Sequence, residues 1–322
     1  MKLLNPVVLC VAALAAAGPA AAQNYPAKPV RIIIPYPPGG GNDIIGRAIA
    51  DELTRRLGQQ FIVDNRPGAS TIIGAEAVAR AAPDGYTLFV ASQTTFAIVP
   101  NLRTKLPYDP VRDYEPVSLL ATQPYTLVVH PSLPAISVKQ LIALAKARPG
   151  KIEYASPSIG TGGHLSGELF KVMTGTDLLH IPYKGAGPAI ADLLGGHVPV
   201  MFATASSVHP QVVNGKLRAL ATTSARRTAA LPQVPTIAES GVPGFETMQW
   251  IAMHGPRATP REVVERLNAA IAASVKAPEF RERMNSQGYD AESSTPRQLA
   301  ERIKSELARF GKLIKAIGLK DQ

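Results

Sequence analysis

Pro29-Val30-Arg31-Ile32-Ile33-Ile34-Pro35-Tyr36-Pro37-Pro38-Gly39-Gly40-Gly41-Asn42-Asp43 runs from an apolar strand through a proline- and glycine-rich turn into a helix. Val30 to Ile34 is branched and apolar, as a buried strand requires, and Pro35 ends it. Downstream, Ile44, Ile45, Ala48, Ile49, Leu53 and Leu57 fall at helical spacing. Asp43 places a negative charge in the first helical turn, where the peptide dipoles favour one, and Asn42 is positioned to cap the helix. Gly39, Gly40 and Gly41 permit unusual backbone angles and a close approach by a ligand. The first N–H groups of a helix have no partner within it, so such a unit offers donors to a carboxylate or phosphate.

A second unit of the same kind lies near the middle of the chain. A strand over 152–155 leads into Ser156-Pro157-Ser158-Ile159-Gly160-Thr161-Gly162-Gly163-His164 and a helix over 164–173. The hydroxyls of Ser156, Ser158 and Thr161, the amides of Gly162 and Gly163, and His164 in the first turn are six candidate donors. Tyr183-Lys184-Gly185 follows the next strand, 178–181, and belongs at the same sheet edge. There Tyr183 supplies an apolar wall or a hydroxyl. Two such turns in different halves predict one small anion clasped between two lobes.

Strands over 61–63 and 85–90 and a helix over 71–80 complete the first series. A stretch with Pro100, Pro107, Pro110 and Pro116 follows it. Residues 117–129 read as one or two strands and as the first crossing between lobes. The second series continues with helices over 138–147 and 186–194, a strand over 198–202, a helix through 210–213 and a strand over 217–222. Residues 245–253 read as extended and return to the first lobe, and helices over 260–276 and 296–317 close the chain. This alternation predicts an α/β fold of helix-flanked parallel strands, with two crossings acting as a hinge.

The rest of the composition narrows the function. The 322 residues carry a formal charge of +10, but the cations are single or paired, as in Arg55-Arg56 and Arg226-Arg227. No stripe of basic and aromatic residues points to nucleic acid. Residues 1–22 begin with a lone Lys2, continue as an apolar run and end at Ala20-Ala21-Ala22. They read as a secretory signal peptide. The one cysteine, Cys10, lies inside it after the large Leu9, which argues against a lipoprotein site. The mature chain then has no disulfide and no thiol nucleophile, and no later stretch is apolar enough to cross a bilayer. There is no Gly-x-Ser-x-Gly elbow, no complete dinucleotide fingerprint and no phosphate loop. His130, His164, His180, His197, His209 and His254 are dispersed, so neither a metal site nor a cofactor is expected. A spatial serine–histidine–acid triad stays open.

The chain resembles the extracytoplasmic solute receptors of the tripartite tricarboxylate transporter family, also called Bordetella uptake gene receptors. The resemblance rests on Pro37-Pro38-Gly39-Gly40-Gly41-Asn42-Asp43, Asp64-Asn65-Arg66-Pro67-Gly68-Ala69, Pro83-Asp84-Gly85-Tyr86-Thr87, Gly160-Thr161-Gly162-Gly163-His164-Leu165, Pro182-Tyr183-Lys184-Gly185 and Gly215-Lys216-Leu217-Arg218-Ala219-Leu220. It extends over essentially the whole mature chain. It implies a periplasmic, non-enzymatic, monomeric receptor of the type II-like two-lobed binding-protein fold, with two Rossmann-like lobes joined by a hinge. Lobe one takes 23–126 and 248–322, and lobe two takes 127–247. The implied ligand is a small carboxylate, passed to a two-part membrane permease.

In that family the two glycine turns hold carboxylate oxygens from opposite lobes, partly through water. The resemblance carries those roles to Tyr36, Gly40, Asp43, Ser156, Thr161, Gly162 and Gly163, with Tyr183 beside them and Ser92 and Thr94 completing the first-lobe wall. One departure concerns Met201-Phe202-Ala203-Thr204-Ala205-Ser206-Ser207, where the family usually carries an aspartate near the ligand. Thr204 and Ala205 stand there instead, which argues against an amino acid and leaves an aliphatic or aromatic acid open. Another is Met248-Gln249-Trp250, in place of the family's glycine-tryptophan. A sensing or scavenging receptor that hands its acid to a signalling protein needs the same cleft. A hydrolase would need a nucleophile and base within reach of it.

Overall fold

Residues 25–228 and 231–319 are described by the computed structural model, and the leader read from residues 1–22 lies outside them. Strand β1 (Val30–Ile34) is central in the first lobe and runs parallel to both β2 (Phe61–Asn65) and β3 (Thr87–Ser92). Its alternating side chains enter two different cores. Ile32 and Ile34 pack with Ile45, Ile49 and Leu53 of α1 (Gly41–Leu57), while Ile33 packs with Ala75 and Val78 of α2 (Ile72–Ala79). A strand covered on both faces needs apolar residues at every position, and this one has them from Ile32 to Ile34.

After β3 the chain forms a π-helical turn, Thr94–Ile98, and the short α3 (Val99–Leu102). It then enters β4 (Tyr114–Val129), a single strand where the sequence allowed one or two. The first part of β4 pairs antiparallel with β9 (Met248–Pro256) as far as Pro124↔Met248. From Tyr125↔Thr204 onward its partner is β7 (Val200–Thr204), with β8 (Arg218–Thr222) also paired to this half. Strand β4 therefore belongs to both lobes, and the hydrogen-bonding partner changes between Pro124 and Tyr125.

The second lobe contains α4 (Val138–Ala147), β5 (Ile152–Ser156), α5 (Gly162–Thr174), β6 (Leu178–Pro182), α6 (Ala186–Leu194) and α7 (Ala205–Val213). Strands β5, β6 and β7 are parallel. The chain returns through β9, which also pairs antiparallel with β3, and ends with α8 (Arg261–Lys276), α9 (Pro278–Asn285), β10 (Asp290–Ala291) and α10 (Pro296–Ala316). Helix α9 escaped the sequence reading because it is charged and short, with Phe280 and Met284 its buried residues. The full sheet order is β2-β1-β3-β9-β4-β7-β5-β6.

The strands at the crossing are tied together by side chains. Gln93 donates to the Tyr125 hydroxyl at 3.0 Å and accepts from the Trp250 amide at 2.9 Å, so one residue grips both crossing strands. Gln123 donates to the Gln249 carbonyl oxygen across the β4–β9 pair. An apolar seam also joins the lobes, since Leu165 of α5 is buried with Ala97, Ile98, Phe310 and Ile314.

His254 on β9 is fully buried, forms no well-aligned hydrogen bond through either ring nitrogen and stacks on Phe96 at 4.0 Å. Burial pushes its pKa from 6.5 down to about 3. The unfolded chain thus takes a proton that the fold refuses, so this contribution to stability is complete above the unfolded pKa and declines as pH falls from about 6.5 towards 3. A cavity of about 20 Å³ beside the ring gives some space towards the larger phenyl group. His254→Phe should therefore flatten the fall in melting temperature between pH 7 and pH 4. Calorimetric scans across that range, with a wild-type slope in the variant as the contrary result, check this.

Candidate functional site

The lobes face each other across a cleft of about 670 Å³. Lobe one contributes Tyr36 and its flanking prolines, the loop from Pro67 to Thr71, Thr94, Leu102 and Arg103. Lobe two contributes the turn from Pro157 to Thr161 together with Lys184 and Gly185. Among the described residues no Asp or Glu lines the cleft.

The first glycine turn is built from behind. Gly39 adopts a φ of +80° and donates its N–H to Asp43 Oδ2 at 2.8 Å. The same carboxylate accepts from Arg47 Nε at 3.0 Å and, through its other oxygen, from Asn65 at 2.9 Å. Burial works to raise the Asp43 pKa, but these hydrogen bonds hold it below the usual carboxylate value. Asp43 is thus buried and internally saturated, and it locks the turn rather than facing the cleft. Asn65 also donates to the Tyr36 carbonyl at 3.0 Å. The expected cap is corrected here: Gly40 occupies the cap position of α1, while Asn42 is buried inside the helix with its carbonyl oxygen unpartnered. Gly41 lies against the Tyr289 hydroxyl so closely that a Cβ would collide with it. Gly39 and Gly40 remain exposed at the rim.

Tyr36 lines the cleft with its hydroxyl 2.7 Å from Ser92 Oγ. Ser92 is buried behind it and also accepts from the Thr94 amide at 3.4 Å.

The second turn is pinned in a similar way. Thr161 caps α5 by accepting from the His164 amide at 3.4 Å, and its hydroxyl donates to the Ser158 carbonyl at 2.8 Å. This cap starts the helix at Gly162, two residues before the sequence reading placed it. Gly162 abuts the Tyr125 hydroxyl and Gly163 the Phe202 carbonyl, contacts that leave no space for a side chain. Ser156 is fully buried, as is almost all of His164. His164 Nδ1 accepts from the Gly160 amide at 3.1 Å, and burial pushes the His164 pKa down to about 4. The ring does not line the cleft, and its other nitrogen, Nε2, faces Glu168 Oε1 at 4.0 Å.

The remaining expected residues sit elsewhere. The Tyr183 hydroxyl donates to Asp192 at 2.8 Å, which turns it onto α6. Thr204 and Ser207 share a hydrogen bond of 2.9 Å at the start of α7, with Ala205 buried beside them. Of the expected set, Tyr36, Thr94, Ser158 and Thr161 line the cleft directly.

The sequence reading did not assign the loop 67–71 or Arg103 to the site. Ala69, Ser70 and Thr71 all have positive φ, at 44°, 53° and 83°. Such strain persists only where surrounding structure enforces it, and it clusters at functional sites. Arg66-Pro67-Gly68 was its visible signal, whereas a single arginine in a proline-rich stretch carries none.

Two serine–histidine contacts occur among the described residues. Ser132–His130 is exposed and outside the cleft, and Ser156 Oγ lies 2.7 Å from His180 Nε2. In neither does a carboxylate hydrogen-bond the imidazole, and the buried Ser156 cannot reach a bound molecule. The surfaces facing the cleft offer amides, hydroxyls and two cations, which suits binding of an anion rather than attack upon it.

Two α/β lobes sharing a crossing strand and facing a donor-lined cleft define the class: a two-lobed solute receptor of the periplasmic binding-protein fold. Residues 45–319 match the model of the tripartite tricarboxylate transporter family receptor, TctC. The chain belongs to that family. It is 38% identical to the protein BugT of Bordetella pertussis over 320 residues, covering 99% of this chain and 98% of that one. It is 40% identical over 291 residues to a protein encoded between tcbD and tcbE in Pseudomonas sp. strain P51, covering 90% and 86%. Among solved structures it resembles R. palustris Rpa4515 with adipate, at 36% identity and a TM-score of 0.85 over 92% of this chain and all of that one. It also resembles MatC (Rpa3494) from Rhodopseudomonas palustris with bound malate, at 29% identity and a TM-score of 0.79 over 90% and 100%.

Gly162→Ala should drive the start of α5 away from Tyr125 and weaken ligand binding by about tenfold or more, on the scale of one or two lost hydrogen bonds. Gly40→Ala is the control, since the nearest atom to its new Cβ would be the Pro37 carbonyl at 3.6 Å. Titration calorimetry on both variants measures the difference. Equal affinities would remove Gly162 from the site.

Proposed function

We propose that this receptor encloses a small carboxylate lacking an ammonium group in the interlobe cleft and delivers it to the two-part permease of a tripartite tricarboxylate transporter. The observation carrying this reading is the cleft lining: the segment around Tyr36 that leads towards α1 and the Pro157–Thr161 turn of the opposite lobe, with Arg103 and Lys184, and no carboxylate among the described residues. Backbone donors and fixed cations favour an anion. An ammonium group would find no acidic partner among the described lining residues. The adipate and malate held by the two structural relatives are acids of this kind.

In this reading residues 1–22 are removed on export, and the mature monomer works in the periplasm. The open receptor takes the acid onto one lobe. Rotation about β4 near Pro124 and about the start of β9 brings the second turn over it. Closure excludes water and strengthens each charge-assisted bond, which contributes about 1.5–3 kcal/mol. A few such bonds, less the cost of association, correspond to roughly micromolar affinity. The expected binding residues are the amides of Gly40, Gly41, Gly162 and Gly163, with Tyr36, Thr94, Ser158 and Thr161, while the Gly39 amide is held by Asp43. Asp43, Ser156 and His164 hold the turns in place.

Calorimetry with straight-chain dicarboxylates, aromatic acids and the matching amino acids tests this. Heat from at least one amine-free acid, with its amino counterpart weaker, is expected. Silence from every acid, or tighter binding of the amino acid, would overturn it. Thr204→Asp should weaken an amine-free acid by about tenfold through like-charge repulsion near the hinge, an effect reduced by salt. Unchanged affinity would place Thr204 away from the ligand.

A further inference from the structure

We propose that His180, stacked on His164, is a positioning residue for ligand binding: its imidazole N–H fixes the turn from Ser156 to Gly160 so that the amides after it face the cleft. The inference rests on reading that cleft as the carboxylate site.

The hydrogen bonds determine the protonation pattern. Ser156 Oγ lies 3.0 Å from the Ser158 carbonyl and 2.7 Å from His180 Nε2. A hydroxyl has one proton, and the carbonyl can only accept, so Ser156 donates to Ser158. The proton between Ser156 and His180 therefore belongs to His180 Nε2. At the other end of the turn, His164 Nδ1 accepts from the Gly160 amide, which places the His164 proton on Nε2, facing Glu168 Oε1 at 4.0 Å. One ring donates towards the start of the turn and the other accepts from its end.

The rings form a single support, stacked at 4.0 Å with 23° between their planes. His180 also packs on Tyr154 at 4.9 Å, and the Tyr154 hydroxyl donates to Glu168 Oε1 at 2.7 Å. Lys171 Nζ donates to the same oxygen at 3.0 Å. Thus Glu168 and Lys171 are the charged groups facing the pair, and Tyr154 is the other titratable one. Burial above all, with Lys171 adding to it, keeps both rings neutral, as their arrangement requires. Neither histidine lines the cleft, whereas Ser158, Gly160 and Thr161 do. The pair acts on the ligand only through the turn it holds.

The experiment uses the mature chain, three single variants and the double variant His180→Phe/Ser156→Ala. His180→Phe keeps the ring and the stack but removes the donor. His180→Gln returns an amide nitrogen near the place of Nε2, and Ser156→Ala removes the relay. Affinity is measured for a series of dicarboxylates from malonate to adipate and for benzoate. Amide shifts of Gly160 and Gly162 are recorded without ligand by NMR. His180→Phe and Ser156→Ala should each weaken the best acid by about tenfold, and the double variant should be no worse than either, because both break one relay. His180→Gln should recover most of the affinity, and the two glycine shifts should move in His180→Phe and return in His180→Gln.

Wild-type affinity in Ser156→Ala, or a His180→Gln as weak as His180→Phe, overturns the proposal. If His180→Phe fails to fold, Ser156→Ala and His180→Gln still decide it by the same criteria. If the wild type binds none of the acids, the cleft reading falls and takes the binding role with it. Moved glycine shifts would then show that the failure lies in the ligand, and unmoved ones that the relay itself is wrong.

Discussion

A single strand whose backbone hydrogen bonds change partner part-way along underlies the rest of this structure. Up to Pro124, β4 is paired with β9, and from Tyr125 it is paired with β7. A strand cannot bend freely while its neighbours on both sides are continuous. The change of partner supplies the one place where two sheets can turn relative to each other without leaving buried amides unpaired. Gln93 sits at that place and bonds to both crossing strands. The α1 and α5 turns lie on either side of it because each follows a strand of its own lobe.

The division of labour within the site follows from the cost of burying polar groups. Asp43, Ser156, His164 and Tyr183, which looked like ligands in the sequence, have hydrogen bonds met inside their own lobes. Asp43 and His164 take up the Gly39 and Gly160 amides and so fix the two glycine turns. In the proposed site the remaining main-chain donors are held in place by side chains one layer behind them. Among the described residues the lining carries Arg103 and Lys184 and no acid, which favours an anion in the proposed site.

The lobes also meet through carbon. Leu165 of the second lobe is buried among Ala97, Ile98, Phe310 and Ile314 of the first, and a Cβ on Gly160 would run into Leu102. Burying a leucine side chain contributes about 1.5–3 kcal/mol, so this seam favours lobes held together before any ligand adds its bonds. Opening must separate it. The seam also keeps Leu102 and Arg103 beside the second glycine turn, and it thereby sets the width of the cleft mouth.

Much of this was legible in the residues. Branched runs such as Val30–Ile34 and the helical spacing from Ile44 to Leu57 specify local structure, because one buried face requires one period. The two glycine turns suggest anion sites for the same local reason: a helix start leaves amides over wherever it occurs. Helix α9 and the continuity of β4 were not legible, since a short charged helix and a long strand interrupted by Pro116 and Pro124 take their form from what they pack against. The orientation of side chains in the site was also beyond the sequence. Asp43 is turned inward by Asn65 as well as by Arg47 on its own helix, and His164 by its stack on His180 as well as by the nearby Gly160; Asn65 and His180 are brought there only by the packing of separate elements. Local backbone geometry follows from neighbouring residues, whereas the direction in which a polar group spends its hydrogen bonds depends on which distant groups the fold brings within about 3 Å of it.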